Sequence, residues 1–455
     1  MSDTRTAPPA PARSPAPIPL RQIGLYAATA ITVGNIIGSG IFRSPHSVAQ
    51  EITALPAVLA AWILGGVLSL AGSLVLAELA VAHPRTGGLY VFIREAFGDL
   101  WGFVFGWANL WVIKPTVIAS IATVFALYFC EAMHLAAGTQ FAVAAAAILL
   151  LTAINTLGVR EGAGTQSLFT TLKVLGILLL CGAAFLLPHR GADLGQPAAV
   201  LPAMPPFLLG FVAAMISILF AYDGWTDSTY VAGEIKDPMR VLPFAILGGT
   251  VLTVVIYLLT NLAYYAVLSP AEMATIPAVG SETVRRVLGE GGAQALAVLV
   301  AISTFGTTNG AILTGPRVTQ AMAADGLLWR PAAHLHPKRG TPDLALWIQA
   351  GLSIGWLALS RGFEDVSGWF VTTSWLFYGL TTAAIFVHRR RTRAGQDVHP
   401  YRTPLYPLTP IVFIVVTVVL IGGDLTASGW RAWAGVGMAA TGIPVYLLWK
   451  RARYS

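Results

Sequence analysis

Two short segments combine glycine with polar residues inside long apolar runs, and their residue types are the ones best suited to binding a ligand. The segments are Gly34-Asn35-Ile36-Ile37-Gly38-Ser39-Gly40 and Phe220-Ala221-Tyr222-Asp223-Gly224-Trp225. Glycine and serine weaken a helix, and polar atoms in an apolar run need partners, so each segment predicts a helix that is interrupted halfway.

Interrupted helices offer hydrogen-bonding groups of both kinds. Unwinding the first segment exposes backbone N–H groups at the positive end of a half-helix, which suits a carboxylate. Unwinding the second segment frees carbonyl oxygens, which suit an ammonium group. We therefore predict a site for a ligand with both groups, and its candidate contacts are Ile37, Gly38, Ser39, Gly40, Phe220, Ala221, Tyr222 and Asp223.

Three charged side chains, Asp223, Lys173 and Lys114, also lie inside apolar runs, where a charge is unfavourable and by default functional. Asp223 could attract a cationic group, bind an ammonium group, take up a proton or cap the unwound helix. Lys173 could be a structural tether or a coupling element, and Lys114 is interpreted as structural. Ser303 and Asn309 give another run a polar face, which could line the site, contact Lys173 or bond to neighbouring helices.

The chain around these residues has the composition of a membrane protein. Of its 455 residues, 56% are hydrophobic and 11% are charged, whereas soluble domains have about 25% charged residues. Apolar runs of about 20 residues, the length of a membrane-spanning helix, occur about twelve times. They start near Gly24, Ala54, Leu100, Gln140, Gln166, Pro206, Leu242, Ala293, Leu344, Ser367, Pro407 and Trp430. We predict an all-α protein embedded in the lipid bilayer of the cytoplasmic (inner) membrane.

The two interrupted runs are the first and the sixth, which correspond to each other if the first ten runs form two five-helix repeats. Paired interrupted helices in two halves of a bundle indicate the central site of a transporter. We predict a disordered cytoplasmic tail at 1–20 and a transmembrane domain at 21–455. The domain divides into repeats at 21–190 and 206–390 and two extra helices at 406–450. Most of the 28 Lys and Arg residues fall in loops on the same side of the membrane as the N-terminus. Because cytoplasmic loops carry an excess of Lys and Arg, both termini are predicted to be cytoplasmic.

A series of short motifs occurs in order along the sequence, from the first apolar run to the eighth. The motifs are Gly34 to Phe42, Ala77-Glu78-Leu79, Gly87-Gly88-Leu89-Tyr90, Ile113-Lys114-Pro115-Thr116, Phe220 to Trp225, Glu234 to Pro238, Thr260 to Tyr265 and Ser303 to Gly310. This series resembles the amino acid–polyamine–organocation superfamily. Within that superfamily it is similar to the L-type amino-acid transporters, the light subunits of heteromeric transporters.

The resemblance implies a LeuT-type fold, with a five-plus-five inverted repeat, broken helices one and six, and two additional C-terminal helices. It implies sodium-independent transport of L-amino acids by alternating access, often as exchange. A proton-coupled amino-acid or polyamine symporter of the same superfamily is the alternative.

The resemblance also implies roles for three residues. Phe220 matches an aromatic residue that closes over the substrate. Lys173 matches a lysine that bridges spans one and eight, where sodium-coupled relatives hold a cation. Asp223 matches an aspartate of the cystine and dibasic amino-acid members, although carriers of neutral substrates share it.

Other classes of protein are disfavoured by the sequence. Cys130 and Cys181 lack the spacing of a metal site, and we predict neither a metal nor a cofactor. There is no phosphate loop of the form G-x-x-x-x-G-K-S/T, and the histidines do not converge with an acid, so ATP-driven pumping and enzymatic activity are not predicted. The basic residues form no continuous polar face, so nucleic acid is not a predicted partner. Cys130 does not clearly align with the cysteine that joins family members to a heavy chain, and no disulfide-linked heavy chain is expected.

Overall fold

A computed structural model describes residues 21–187, 207–276, 278–360, 363–392, 401–427 and 430–454, and the predicted tail at 1–20 lies outside these ranges. The helices are α1 Leu25–Ile36, α2 Gly40–Glu51, α3 Leu55–Ala82, α4 Leu89–Phe97, α5 Asp99–Ala108, α6 Lys114–Ala132, α7 Gln140–Leu157, α8 Val159–Leu186, α9 Phe207–Ala221, α10 Asp227–Tyr230, α11 Pro238–Pro243, α12 Gly249–Val267, α13 Pro270–Thr275, α14 Val279–Thr314, α15 Pro316–Ala324, α16 Asp343–Leu359, α17 Phe363–Thr392, α18 Leu408–Ala427, α19 Trp430–Ala440 and α20 Gly442–Tyr454. Short π-helical turns occur at Asn109–Ile113 and Phe244–Gly248. The predicted all-α fold is confirmed.

Nine helical stretches among the described residues are long and apolar enough to cross a membrane. They are Leu25–Glu51, Leu55–Ala82, Asp99–Ala132, Gln140–Leu157, Ala163–Leu186, Pro238–Val267, Val279–Ala324, Trp369–Arg391 and Leu408–Thr426. Gly210–Ala221 and Asp343–Leu359 are apolar but shorter. The predicted count of about twelve spans therefore stays a prediction.

Two predicted runs differ from the helices observed. The run predicted near Gln166 lies within α8, which begins at Val159, and its apolar part is Ala163–Leu186. The run predicted from Trp430 is divided at Thr441 into α19 and α20. Pro444 explains the division, since it has no N–H to continue the hydrogen bonds of the preceding helix.

Both predicted interruptions are confirmed. Helix α1 ends at Ile36, Ile37 has an extended backbone with φ −74° and ψ 92°, and α2 begins at Gly40. Helix α9 ends at Ala221, and the short α10 begins at Asp227 after a turn. Each break therefore places helix ends inside the bundle rather than at its surface.

The broken helices lie at the centre of the bundle, and other helices surround them. Helix α1 packs against α8, α12 and α14, while α2 packs against α9. Helix α14 in turn packs along α6 and α8. Outer helices carry exposed apolar side chains such as Leu179, Leu186 and Val418, which suits contact with hydrocarbon.

Candidate functional site

The two helix breaks touch each other through glycine. A Cβ atom added at Gly40 would lie 2.5 Å from the Cα atom of Ala221. A Cβ atom added at Gly224 would lie 2.6 Å from the carbonyl carbon of Asn35, and Gly224 has a φ of +117°, which L side chains rarely adopt. The backbones of the two breaks can approach this closely only because these two positions lack side chains.

A cavity of about 30 Å³ lies beside this contact. It is lined by residues of both breaks and of α6, α14 and α17: Asn35, Ile36, Gly38, Ser39, Gly40, Val117, Ile121, Phe220, Asp223, Thr307 and Phe370. One water molecule needs about 10–15 Å³, so the space suits two or three waters. A larger ligand requires the cavity to widen.

Five of the predicted contacts line the cavity: Gly38, Ser39, Gly40, Phe220 and Asp223. The Ser39 hydroxyl is buried and has no hydrogen-bond partner in the described part of the chain, so it is available to a ligand. The rings of Phe220 and Phe370 meet edge to face, with centroids 6.0 Å apart. The structure thus brings an unpaired hydroxyl, a carboxylate and two aromatic rings to one small space.

The other three predicted contacts, Ile37, Ala221 and Tyr222, are not among the residues that line the cavity. The hydroxyl of Tyr257 lies 2.9 Å from the Ala221 carbonyl oxygen and 2.8 Å from the Ile36 carbonyl oxygen. Tyr257, on α12, was not predicted from the sequence, although its hydroxyl joins the two breaks. A single tyrosine in an apolar helix gives no signal that distinguishes this role from packing.

The Lys173 ammonium group is fully buried between α1 and α14. It donates hydrogen bonds to the carbonyl oxygens of Gly34 at 2.9 Å and Ile37 at 2.6 Å, and to the hydroxyl of Thr307 at 2.7 Å. Three oxygen atoms therefore surround the Lys173 side-chain nitrogen at the break in the first span. Since Thr307 also lines the cavity, Lys173 adjoins the cavity wall through that side chain.

Ser303 and Asn309, the two other predicted residues of α14, lie elsewhere on this helix. The Ser303 carbonyl oxygen accepts a hydrogen bond from the Thr307 hydroxyl at 3.0 Å, and the Ser303 hydroxyl has no partner among the described residues. Asn309 bonds to Asn155 on α7 and Gln166 on α8, at 2.8 Å and 3.3 Å. The sequence left several roles open for Asn309, and the one observed is hydrogen bonding to neighbouring helices.

The Asp223 carboxylate lines the cavity and accepts a hydrogen bond from the Tyr378 hydroxyl at 2.6 Å. Among the residues that the structure describes, no Lys or Arg nitrogen lies within 4.0 Å of it. Tyr378 on α17 was not predicted from the sequence. Asp223 therefore faces the cavity as an acceptor without a cationic partner.

Lys114, by contrast, has an acidic partner that the sequence did not reveal. Its ammonium group lies 2.7 Å from a carboxylate oxygen of Asp227 and 3.3 Å from the Thr314 hydroxyl. It also lies over the ring of Tyr230, 4.9 Å from the centroid. Lys114 on α6 and Asp227 on α10 are 113 residues apart in sequence, so only the fold brings them together.

A second buried ion pair lies where α1 begins. The Arg317 guanidinium of α15 donates to the Glu234 carboxylate at 3.0 Å and 3.3 Å. The Glu234 carbonyl oxygen accepts from the backbone N–H groups of Gln22 and Ile23 at 2.9 Å and 3.0 Å. These bonds fix the start of α1 to the segment after α10 and to the end of the eighth predicted span.

Comparison with known proteins gives a consistent result. The family described as amino acid permease matches residues 23–442. The serine/threonine exchanger SteT of Bacillus subtilis (strain 168) is 32% identical over 438 residues, covering 96% of this chain and 98% of that protein. The b(0,+)-type amino acid transporter 1 of Homo sapiens is 32% identical over 416 residues, covering 88% of this chain and 82% of that protein. The Asc-type amino acid transporter 1 of Mus musculus is 32% identical over 434 residues, covering 94% of this chain and 81% of that protein.

Proposed function

The chain belongs to the amino acid permease family, and from this premise we propose that it exchanges L-amino acids across the cell membrane by alternating access, independently of sodium. Its relatives include an exchanger named for serine and threonine and two amino-acid transporters. Its function is therefore transport across a lipid bilayer rather than catalysis of a reaction, and its substrates are amino acids.

The observation that carries the proposal is the position of Lys173. Its ammonium group is held by two carbonyl oxygens of the first break and by one hydroxyl of α14. Oxygen atoms in such an arrangement are also the ligands of a hard metal cation. Because a covalently attached cation already occupies the position, a sodium ion is not needed to hold α1 against α14.

Substrate recognition follows from the two breaks. We assign the substrate carboxylate to the N–H groups at the start of α2, between Gly38 and Gly40, with the Ser39 hydroxyl as a further donor. We assign the ammonium group to the carbonyl oxygens at the end of α9 and to Asp223. Phe220 acts as the gate, because its ring packs on Phe370 beside the cavity and has to move before the cavity can widen.

The arrangement of repeats and the orientation in the membrane belong to the same proposal. We assign inverted repeats to 21–190 and 206–390 and two further helices to 406–450, with both termini in the cytoplasm. We also propose that no disulfide-linked heavy chain is needed. The Cys130 side chain is buried and lies 3.6 Å from the Thr139 hydroxyl, which supports a packing role for this cysteine.

One observation favours a second candidate function, proton-coupled symport. Asp223 lines the cavity without a Lys or Arg partner in the described ranges, and a carboxylate in such a place is suited to binding a proton together with substrate. Exchange and symport differ in their driving force, so one experiment separates them.

The experiment is uptake of labelled amino acids by proteoliposomes that contain the purified full chain. Each amino acid is tested with an empty or an amino-acid-loaded lumen, with and without sodium, and with and without a pH gradient. Uptake that requires a loaded lumen and ignores both gradients supports exchange. Uptake into empty vesicles driven by a proton gradient replaces exchange by symport, and dependence on sodium contradicts both. Protein-free liposomes with the same contents are the control.

A further inference from the structure

A chain of five buried polar side chains crosses the centre of the bundle from α7 to α10. Its members are Asn155, Asn309, Gln166, Asn35 and Asp227, at most 8% exposed. Consecutive members are joined by hydrogen bonds of 2.8 Å, 3.3 Å, 3.2 Å and 2.5 Å, in that order. The members come from α7, α14, α8, α1 and α10, so the chain links five helices.

The hydrogen bonds all point in one direction, and the carboxylate at the end explains why. A carboxylate only accepts, so Asn35 presents its NH₂ group to Asp227 and its oxygen to Gln166. Gln166 must then donate to Asn35, which leaves its oxygen for Asn309. Asn309 in turn accepts from Asn155. Asn35, Gln166 and Asn309 therefore each have one orientation, which follows from the charge of Asp227. Asn155 is also held by its own helix, because its NH₂ group donates to the Leu151 carbonyl oxygen at 2.8 Å.

Lys114 keeps that charge in place. Its ammonium group donates to one carboxylate oxygen of Asp227 at 2.7 Å, while Asn35 donates to the other at 2.5 Å. The Thr314 hydroxyl lies 3.2 Å from the second oxygen and shares its one proton between this oxygen and the Gly310 carbonyl oxygen, at 3.0 Å. An ionised acceptor that is held by Lys114 and Asn35 polarises the amides behind it, because hydrogen bonds in a buried chain strengthen one another.

Two glycines provide the space that the chain occupies. A Cβ atom at Gly310 would lie 1.6 Å from the side-chain oxygen of Asn35 and 2.8 Å from the side-chain nitrogen of Gln166. A Cβ atom at Gly34 would lie 2.4 Å from the same nitrogen of Gln166. Any larger residue at either position displaces an amide from the chain. This requirement is independent of the hydrogen bonds and supports the same arrangement.

Of the five members, only Asn35 reaches the cavity. Asn35 lines it, whereas Asn155, Gln166, Asn309 and Asp227 are not among the lining residues. Asn35 also precedes the first helix break by one residue, Ile36, after which Ile37 is extended. The orientation of Asn35 therefore affects the wall of the cavity and the start of the break together.

We propose that Lys114 and Asp227 orient this amide chain, and that the chain positions Asn35 and the adjacent helix break and thereby sets the affinity for the amino-acid substrate. The inference rests on the proposed function. Lys114, Asp227, Gln166, Asn309 and Asn155 are positioning residues, which act on the substrate through Asn35. A role limited to holding helices together would change the amount of folded protein and its thermal stability, but not the substrate affinity of the folded fraction.

The test is a double-mutant cycle between the two ends of the chain, Asn155→Leu and Asp227→Asn. KM and Vmax for amino-acid exchange are measured in loaded proteoliposomes, together with the thermal stability of each purified variant. Asp227→Asn removes the charge that orients the amides, and Asn155→Leu removes the donor that holds the Asn309 oxygen at the other end. Because the chain needs both ends, we expect each change to raise KM about tenfold, and the double variant also to raise it about tenfold. Independent effects would instead multiply to about a hundredfold.

Asn261→Leu is the matched control. Asn261 is a fully buried amide, but its NH₂ group donates to the Tyr257 carbonyl oxygen of its own helix at 2.8 Å. We expect it to change KM by no more than about twofold, whatever it does to stability.

Gly310→Ala gives a second route if Asn155→Leu does not fold. It should raise KM as the other variants do, whereas Gly355→Ala, with no atom within 4 Å of its Cβ, should leave KM unchanged. Multiplicative effects in the cycle, or a normal KM for Asn155→Leu or for Gly310→Ala, would contradict the proposed role of the amide chain. These results would not contradict amino-acid exchange. A wild type that carries no amino acid would overturn the proposed function and this inference together.

Discussion

Gly40→Ala adds one methyl group at the point where the two helix breaks touch. The new Cβ atom would lie 2.5 Å from the Cα atom, 2.8 Å from the Cβ atom and 3.3 Å from the backbone nitrogen of Ala221. These are mainly backbone contacts, so no side chain can rotate away to make room. The two breaks must separate instead.

The size of the effect can be worked out from these distances. Ordinary van der Waals contact begins at 3.4 Å, so the backbones must part by about 0.9 Å, the difference between 3.4 Å and 2.5 Å. Overpacking of this kind costs about 1–3 kcal/mol. If the substrate binds between the breaks, Vmax/KM should fall about 5- to 150-fold, since 1.4 kcal/mol corresponds to a factor of ten.

The assay is the initial rate of exchange in loaded proteoliposomes, corrected for the amount of protein that is inserted. Gly248→Ala is the matched control, because Gly248 is an exposed residue with nothing within 4 Å of its Cβ position. Gly38→Ala should have an intermediate effect, since the three atoms nearest to its Cβ would all belong to the Thr307 side chain, the first of them at 3.0 Å. If Gly40→Ala exchanges within about twofold of wild type, the contact between the breaks does not form part of the site.

Two further substitutions test single charges. Asp223→Asn keeps the shape of the side chain but removes its charge. We expect Vmax/KM for the substrates lysine and arginine to fall about tenfold more than Vmax/KM for alanine. Equal losses in competition assays would exclude a role of Asp223 in selecting cationic substrate side chains. Lys173→Met removes the donor shared by Gly34, Ile37 and Thr307, and exchange should fall at least about tenfold, while the exposed Lys236→Met should exchange normally. Wild-type exchange by Lys173→Met would refute the proposed substitution of a lysine for a metal cation.

The sequence predicted the helix breaks because their signal is local. Gly34, Gly38 and Gly40 fall within seven consecutive residues, and each weakens the same helix. Gly224 likewise stands beside Asp223 in the sixth span. Composition alone was sufficient for the all-α membrane fold, since the apolar runs have the length that a bilayer requires.

The partners of the buried charges could not be predicted in the same way. Asp227 pairs with Lys114 across 113 residues, and Tyr378 reaches Asp223 across 155. Periodicity and composition report which face of a helix is apolar, but not which residue of another helix lies opposite. Asn155 and Gln166 are uncharged and occur singly, so nothing in the sequence indicated that they form one hydrogen-bonded chain.

The small cavity has a consequence for the energy supply of the host cell. A voltage across a membrane stores about 2.3 kcal/mol for each elementary charge and 100 mV, and a continuous water-filled passage through a carrier would dissipate it. The space of about 30 Å³ beside Phe220 and Asp223 suits two or three waters and is too small for an ion with its hydration shell. At this site, therefore, the described part of the chain leaves no room for a hydrated ion, and the conformation does not dissipate the voltage through the substrate cavity.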